Sequence, residues 1–271
     1  MSAGAVTGGC GRPIGVFDSG VGGLTVLREI RALLPAEDLL YVADSGHAPY
    51  GDKPTAQITA RALTVCDFLL GEGAKALVVA CNTATGAAAQ TLRERLQVPI
   101  IAMEPAVKPA VGLTRSGVIG VLATSQTLAS HNFVQLLGRF RGGANVLVQP
   151  CPGLVDQIER GELDSADTRA LLADLVLPLL DQGADTLVLG CTHYPHLTPL
   201  LRELVGPDVI IADSGAAVAR QVHRRLSESG LLSTRGGPGT ERFWSSAAPA
   251  GETERLLLRL WGRPVRIDTL G

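Results

Sequence analysis

The 271-residue sequence predicts an α/β fold made of two similar halves, and three observations predict it. Short runs rich in Val, Ile and Leu recur along the chain, continuous rather than alternating, as in strands covered on both faces of a parallel sheet. Stretches of helical period separate those runs, and strands that alternate with helices make βαβ units. The pattern also occurs twice: IGVFDS (14–19) resembles IGVLATS (119–125), and GAKALVVAC (73–81) resembles GADTLVLGC (183–191). The two matches keep their order at offsets of 105 and 110 residues, which implies two halves on one plan.

Taken in order, a first strand is expected at 14–17, then the polar turn DSGVGG and a helix over 22–34 stopped by Pro35. Strands follow at 39–43 and 76–80. Between them Ile58, Ala62, Val65 and Leu69 step by 4, 3 and 4, a helix whose end Gly71 marks. A strand at 98–102 closes the first half. The second half repeats the scheme with strands at 118–122, 146–149, 186–190 and 209–212. Its helix is placed by Leu171, Leu175 and Leu179 and ends at Gly183. Two more strands, 242–245 and 264–267, end the chain.

Composition narrows the function classes. With 46% hydrophobic and 18% charged residues the chain is a packed globule and not a disordered one. Net charge is −2 and Lys and Arg are scattered in ones and twos, so there is no nucleic-acid footprint and no polybasic membrane patch. The opening MSAGAVTGGCGRP lacks a charged n-region and an apolar h-region, and a loose tail over 1–11 is expected. The most apolar stretch, ALLADLVLPLL, carries Asp174 and Pro178, so no span is expected and the protein is placed in the cytoplasm. Cys10, Cys66, Cys81, Cys151 and Cys191 form an odd set without CxxC spacing, which argues against a disulfide framework and a zinc ribbon.

Two of these cysteines sit at matching junctions. In LVVACNTAT (77–85) and LVLGCTHYP (187–195) a thiol follows an apolar strand and precedes small polar residues. Residues at the carboxyl ends of parallel strands face the crevice where such sheets bind ligands. A thiolate there is a nucleophile, a metal ligand or a base. A nucleophile needs one cysteine and an activating base, for which His193 is near Cys191. A metal would draw on Cys191, His193 and His196, but CTHYPH lacks the second element of a zinc site. As bases, two thiols on two lobes can remove a proton from one face of a carbon and return one to the other. Their ordinary pKa of about 8.5 suits either state. The acidity of a carbon beside a carboxylate then has to be raised by neutral donors. Asn82, Thr83 and Thr85 after Cys81, and Thr192 after Cys191, are residues of that kind.

The turn DSGVGG is neither GxGxxG, since Thr25 takes the place of the third glycine, nor a P-loop, since GK[ST] is missing. Ser19 and the glycine amides offer donors for an anion. Asp18 is open to two roles, helix cap or catalytic group.

With those residues assembled, the chain resembles the glutamate racemases of the aspartate/glutamate racemase superfamily from about Pro13 to its end. IGVFDSGVGGLTVL, PYGDK, VVACNTAT, EPAVKPA, VIGVLATSQT and LGCTHYP stand in the family's order. The resemblance implies two similar three-layer α/β domains with mostly parallel sheets, pseudo-twofold related, with the active site in the cleft between them. It assigns 12–101 with 212–271 to the first domain and 102–211 to the second. It implies a two-base mechanism with no cofactor, no pyridoxal phosphate and no metal, in which Cys81 takes the α-proton of D-glutamate and Cys191 that of L-glutamate. Asp18 would sit beside Cys81, and His193 with an acidic residue would assist Cys191. Substrate contacts would come from Asp18, Ser19, Tyr50, Gly51, Asn82, Thr83, Thr192 and His193, with Thr85 and Thr124 as further hydroxyls. The role implied is D-glutamate supply for peptidoglycan, in a homodimer.

Some positions depart from the family pattern. The acidic helper falls in CPGLVDQIERGE, where Gly153, Asp156 and Gln157 are unusual; alignment favours Glu159, and Glu162 lies one turn away on the same face. His196 stands where the family usually has Leu, and His47 where many members carry Arg. The other cysteines match no catalytic motif and are read as structural. The competing readings are a racemase for aspartate or hydantoin, a one-cysteine decarboxylase on the same scaffold, and a non-catalytic binder of carboxylate or phosphate.

Overall fold

The computed structural model describes residues 11–140, 142–247 and 252–270; Cys10 and the expected tail, apart from Gly11, lie outside them. The first half runs β1 (Ile14–Asp18), α1 (Leu24–Leu33), β2 (Leu39–Ala43), α2 (Thr55–Gly71), β3 (Ala76–Val79), α3 (Asn82–Arg95) and β4 (Ile100–Ala102). After α4 (Val107–Leu113) come β5 (Val118–Ala123), α5 (Ser125–Ala129), α6 (His131–Arg139), β6 (Asn145–Pro150), α7 (Leu154–Glu159) and α8 (Ala166–Asp181). Then follow β7 (Thr186–Leu189), α9 (Thr198–Val205), β8 (Ile210–Ala212), α10 (Gly215–Glu228), β9 (Glu241–Ser245), α11 (Glu252–Trp261) and β10 (Ile267–Thr269).

Two parallel sheets result, ordered β10-β9-β2-β1-β3-β4 and β6-β5-β7-β8. Strands β1, β2, β3 and β7 are buried along their whole length, as their continuous apolar runs require. The repeat in the sequence is a repeat in topology, since β2-β1-β3-β4 and β6-β5-β7-β8 follow one scheme. Register agrees as well: Gly15 pairs with Leu77 in the first sheet, and Gly120 with Leu187 in the second. Both glycines are demanded by close packing. A Cβ on Gly15 would lie 2.8 Å from Leu77 Cδ2, and one on Gly120 would lie 2.8 Å from Leu179 Cδ1.

The repeated Gly-Ala before each thiol-bearing strand has a local cause. Gly73 and Gly183 take φ of +90° and +92°, a left-handed conformation that favours glycine. The N–H of Gly73 bonds Leu70 O and that of Ala74 bonds Leu69 O; Gly183 and Ala184 bond Leu180 O and Leu179 O in the same way. These are paired Schellman caps, which end α2 and α8 and turn the chain into β3 and β7. The stop expected at Gly71 is met, since α2 ends on that residue, and Gly73 and Ala74 complete the cap beyond it.

Other boundaries shift slightly. The helix expected over 22–34 starts at Leu24, because Gly22 and Gly23 belong to the turn. The last strand starts at Ile267 rather than 264, because Pro264 has no N–H for a ladder. With β9 it extends the first sheet beyond β2, and α10 packs on α1. Among the described residues no helix is long and apolar enough to cross a membrane.

Candidate active site

Every parallel strand of both sheets delivers its carboxyl end to one side of its sheet. Cys81 follows β3 and is the N-cap of α3, where its sulfur accepts the N–H of Ala84 at 3.4 Å. The sulfur lies 3.6 Å from Ser19 Oγ, and the Ser19 hydroxyl lies 3.2 Å from Asp18 Oδ1. Burial pushes the Cys81 thiol well above its ordinary value, and the Asp18 carboxylate and Cys191 push the same way against the Ala84 and Ser19 hydrogen bonds. Cys81 is therefore a thiol here, with Ser19 linking it to Asp18.

Cys191, just beyond β7, has a different neighbour. Its sulfur lies 3.7 Å from His193 Nδ1, and His193 Nε2 lies 2.6 Å from Glu159 Oε1 on α7. Burial would lower the imidazolium, but the Cys191 sulfur, Glu159 and Asp18 outweigh it and hold His193 well above its usual range. One thiol thus faces a carboxylate through a hydroxyl, and the other faces a cation. Asp18 joins the two sides: its Oδ2 is 3.9 Å from His193 Nδ1 and accepts Thr192 Oγ1–H at 3.3 Å. Burial raises the Asp18 carboxyl, with His193, Cys81 and Ser19 opposing and Glu159 adding. Glu162 is exposed and meets none of these groups, so of the two candidate carboxylates only Glu159 reaches the histidine.

The turn DSGVGG is built for these side chains. Three of its amides bond carboxylates of the chain: Ser19 N–H and Gly23 N–H bond Asp18, and Val21 N–H bonds Glu159 Oε1 at 2.7 Å. Two of the anions it holds are thus carboxylates of the chain itself. Asp18 accepts the Gly23 N–H just before α1 and lies beside both Ser19 and His193, the neighbours of the two thiols. Its glycines make room: a Cβ on Gly20 would strike the Glu159 carboxylate, and one on Gly22 the His193 ring. Tyr41, which sequence reasoning missed, braces the turn by donating to Gly20 O at 2.7 Å.

Hydroxyls bridge the halves on the other side. Thr83 Oγ1 lies 2.9 Å from Thr124 Oγ1 and 3.2 Å from Thr127 Oγ1, all buried. Thr127 also escaped the sequence; in the structure Thr124 caps α5 by accepting its N–H. Gly51 abuts Thr124, which a Cβ would approach to 3.1 Å, and Tyr50 beside it is buried. Asn82 is 5% exposed, and neither its amide nitrogen nor its oxygen has a partner. Such a group has donors and an acceptor free for a polar ligand. Thr85 is the exception: its hydroxyl accepts Met103 N–H at 3.4 Å and lines a groove with Glu104 and Arg93.

Cys66 and Cys151 are buried thiols pushed up to about 12 by burial. His196 is pushed down to about 3 by burial and the His193 charge. Among the described residues no three His, Cys, Asp or Glu side chains are grouped to hold a metal ion.

Matching sheets, each ending in a thiol, with helpers of opposite charge on the two sides, define an isomerase scaffold for an acidic carbon. The chain belongs to the Asp/Glu/Hydantoin racemase family, whose sequence model matches residues 14–222. A relative from Pseudomonas paraeruginosa called glutamate racemase is 61% identical over 95% of this chain and 97% of its own. Among solved structures, glutamate racemase from Bacillus anthracis superposes with a TM-score of 0.87 at 33% identity, over 97% of this chain and 98% of that one. Glutamate racemase from Francisella tularensis, solved in complex with D-glutamate, gives 0.83 at 28% identity over 96% and 98%.

Proposed function

We propose that the protein interconverts L- and D-glutamate by a two-base mechanism that uses no cofactor. The observation that carries this is the pairing of Cys81 and Cys191, one from each sheet, on either side of Asp18. The names of the relatives supply the substrate. From the L side, the Cys191 thiolate takes the α-proton and becomes a thiol, while Cys81 gives its S–H proton to the opposite face and becomes a thiolate. From the D side the roles exchange. Glutamate gains no atom and loses none.

Each thiol has the helper its step needs. His193, charged and backed by Glu159, stabilises the Cys191 thiolate before it takes the proton. Ser19 and Asp18 orient the Cys81 S–H. The α-carboxylate gathers charge as the proton leaves, and neutral donors there are worth more than in water. The unpartnered Asn82 amide, Thr83, Thr124, Thr192 and the Tyr50–Gly51 backbone are the binding groups, and the orphaned amide supports this. Thr85 belongs to the rim. The lobes 12–101 with 212–271 and 102–211 close on the substrate, in a cytoplasmic homodimer that supplies D-glutamate for peptidoglycan.

The test is circular dichroism of L- and D-glutamate, and of aspartate, with purified protein freed of pyridoxal phosphate and treated with a chelator. Both glutamate signals should decay to zero while aspartate persists. Stable glutamate ellipticity, or decay only after cofactor or metal is restored, overturns the proposal.

A further inference from the structure

Asp44 ends the β2 junction in a wholly buried carboxylate that the reaction does not use. Its Oδ2 accepts the Tyr50 hydroxyl at 2.6 Å and Arg61 Nε at 3.0 Å. Its Oδ1 accepts Arg61 Nη2 at 2.7 Å and faces His47 Nδ1 at 3.1 Å. A planar fork matched to a carboxylate fixes orientation as well as charge. The backbone around it is equally tied: Asp44 N–H bonds Asp18 O at 3.0 Å, and Gly46 N–H bonds Ser246 Oγ at 3.1 Å. Ser45, the next residue, reaches across to Glu159 Oε2 at 3.4 Å. The segment held in this way, 45–53, carries Tyr50 and Gly51 to the face of Thr124 on the other lobe.

We propose that Asp44, clamped by Arg61, is a positioning residue that sets the Tyr50–Gly51 turn in its substrate-binding geometry and thereby governs affinity, not proton transfer. The proposal rests on the racemase reading for its substrate. Asp44 touches neither thiol nor their helpers' side chains; its only tie to that group is through backbone, to Asp18 O. When the clamp is weakened the turn samples other conformations, and apparent affinity falls with the fraction that remains competent. Proton transfer in the bound complex keeps its rate, because the Cys81–Ser19–Asp18 and Cys191–His193–Glu159 contacts do not pass through this segment, whose Ser45 meets Glu159 at Oε2 while His193 holds Oε1. Racemisation kinetics of Asp44→Asn should show KM for both enantiomers raised about tenfold, with kcat within about twofold.

Three controls isolate the effect. Tyr50→Phe should raise KM in the wild-type background and add less than its full effect on top of Asp44→Asn, since Tyr50 and Arg61 share Oδ2 and both variants loosen the same cluster. Arg61→Lys keeps the charge without the fork and should shift KM in the same direction by about threefold, which covers the case in which Asp44→Asn fails to fold. Amide hydrogen exchange should quicken at His47, Ala48 and Lys53, whose N–H groups close the turns of this segment, while β1 and β3 stay protected. Unchanged KM in folded Asp44→Asn and Arg61→Lys, a fall in kcat at constant KM, or additive effects of Asp44→Asn and Tyr50→Phe would overturn the proposal. So would unchanged exchange at those three amides, a readout that needs no substrate. Absence of racemisation by the wild type would instead strike the functional reading, leaving exchange to judge the clamp.

Discussion

Glu159→Gln offers a perturbation whose size follows from the structure. The glutamine keeps the shape of the side chain and an oxygen for Val21 N–H, but removes the charge 2.6 Å from His193 Nε2. With the Cys191 sulfur, that charge keeps the second proton on the buried imidazole, which stands 3.7 Å from the sulfur that must take the α-proton. A hydrogen bond to a charged group contributes about 1.5–3 kcal/mol, so kcat/KM should drop about 10- to 150-fold. Because enantiomers have an equilibrium constant of unity, the loss must be equal in the two directions. What distinguishes the directions is the α-deuterium isotope effect. With the Cys191 step slowed, abstraction from deuterated L-glutamate becomes fully rate-limiting and its isotope effect rises. From deuterated D-glutamate, abstraction by Cys81 precedes the slow step and its isotope effect falls. Initial rates by circular dichroism with both labelled enantiomers measure this. A loss below about threefold, or isotope effects that move together, would refute the assignment of Glu159 to the Cys191 side.

Other perturbations separate binding, packing and charge. Asn82→Ala removes a buried amide that bonds nothing in the protein, so KM should rise about tenfold while thermal stability holds or improves; a lower Tm with unchanged KM would show the amide to be structural. Gly20→Ala forces a methyl into the Glu159 carboxylate and should cost about 1–3 kcal/mol in denaturant unfolding together with most of the activity; an active, equally stable variant would contradict the packing described. Asp185, remote from the cleft, accepts Thr114 Oγ1–H and the N–H groups of Arg115 and Ser116. Burial would raise its carboxyl, but those bonds prevail and hold it below the ordinary range. A depressed carboxyl stabilises the fold above its unfolded pKa and loses that contribution as pH falls through the folded one. Asp185→Asn should therefore be less stable than wild type at neutral pH, with the gap closing below about pH 4 and turnover intact; a gap that persists in acid would be inconsistent with it.

Much of this was legible in the sequence where local chemistry is decisive. Continuous apolar runs announced buried parallel strands, and the Gly-Ala that twice precedes a strand and a cysteine marked two matching halves, in which the structure shows it to be a Schellman cap each time. The two thiols could be singled out because each ends such a strand. What the sequence left open depends on partners far away in the chain. Spacing alone puts Glu159 and Glu162 one helical turn apart, but α7 ends at Glu159 and Gly161 turns the chain before Glu162, so Glu159 is the one that meets Val21, 138 residues away, and His193. The glycines of DSGVGG read as an anion-binding turn, whereas the space they leave is filled by Glu159 and His193 from the other half. Thr127 and Asp44 carry no spacing signal, since their value comes from Thr83 and from Tyr50 and Arg61 in other elements.

The central claim is that two sulfurs serve opposite faces of one α-carbon, and early conversion of L-glutamate in heavy water tests it most directly. The thiol that donates carries solvent deuterium, and the thiol that abstracts takes up the protium of the substrate. At low conversion the D-glutamate formed should be almost fully labelled at Cα while recovered L-glutamate carries none, and Cys81→Ser should abolish formation of labelled product. Label appearing in recovered L-glutamate as fast as in D-glutamate would mean a single base works both faces, and would contradict the account.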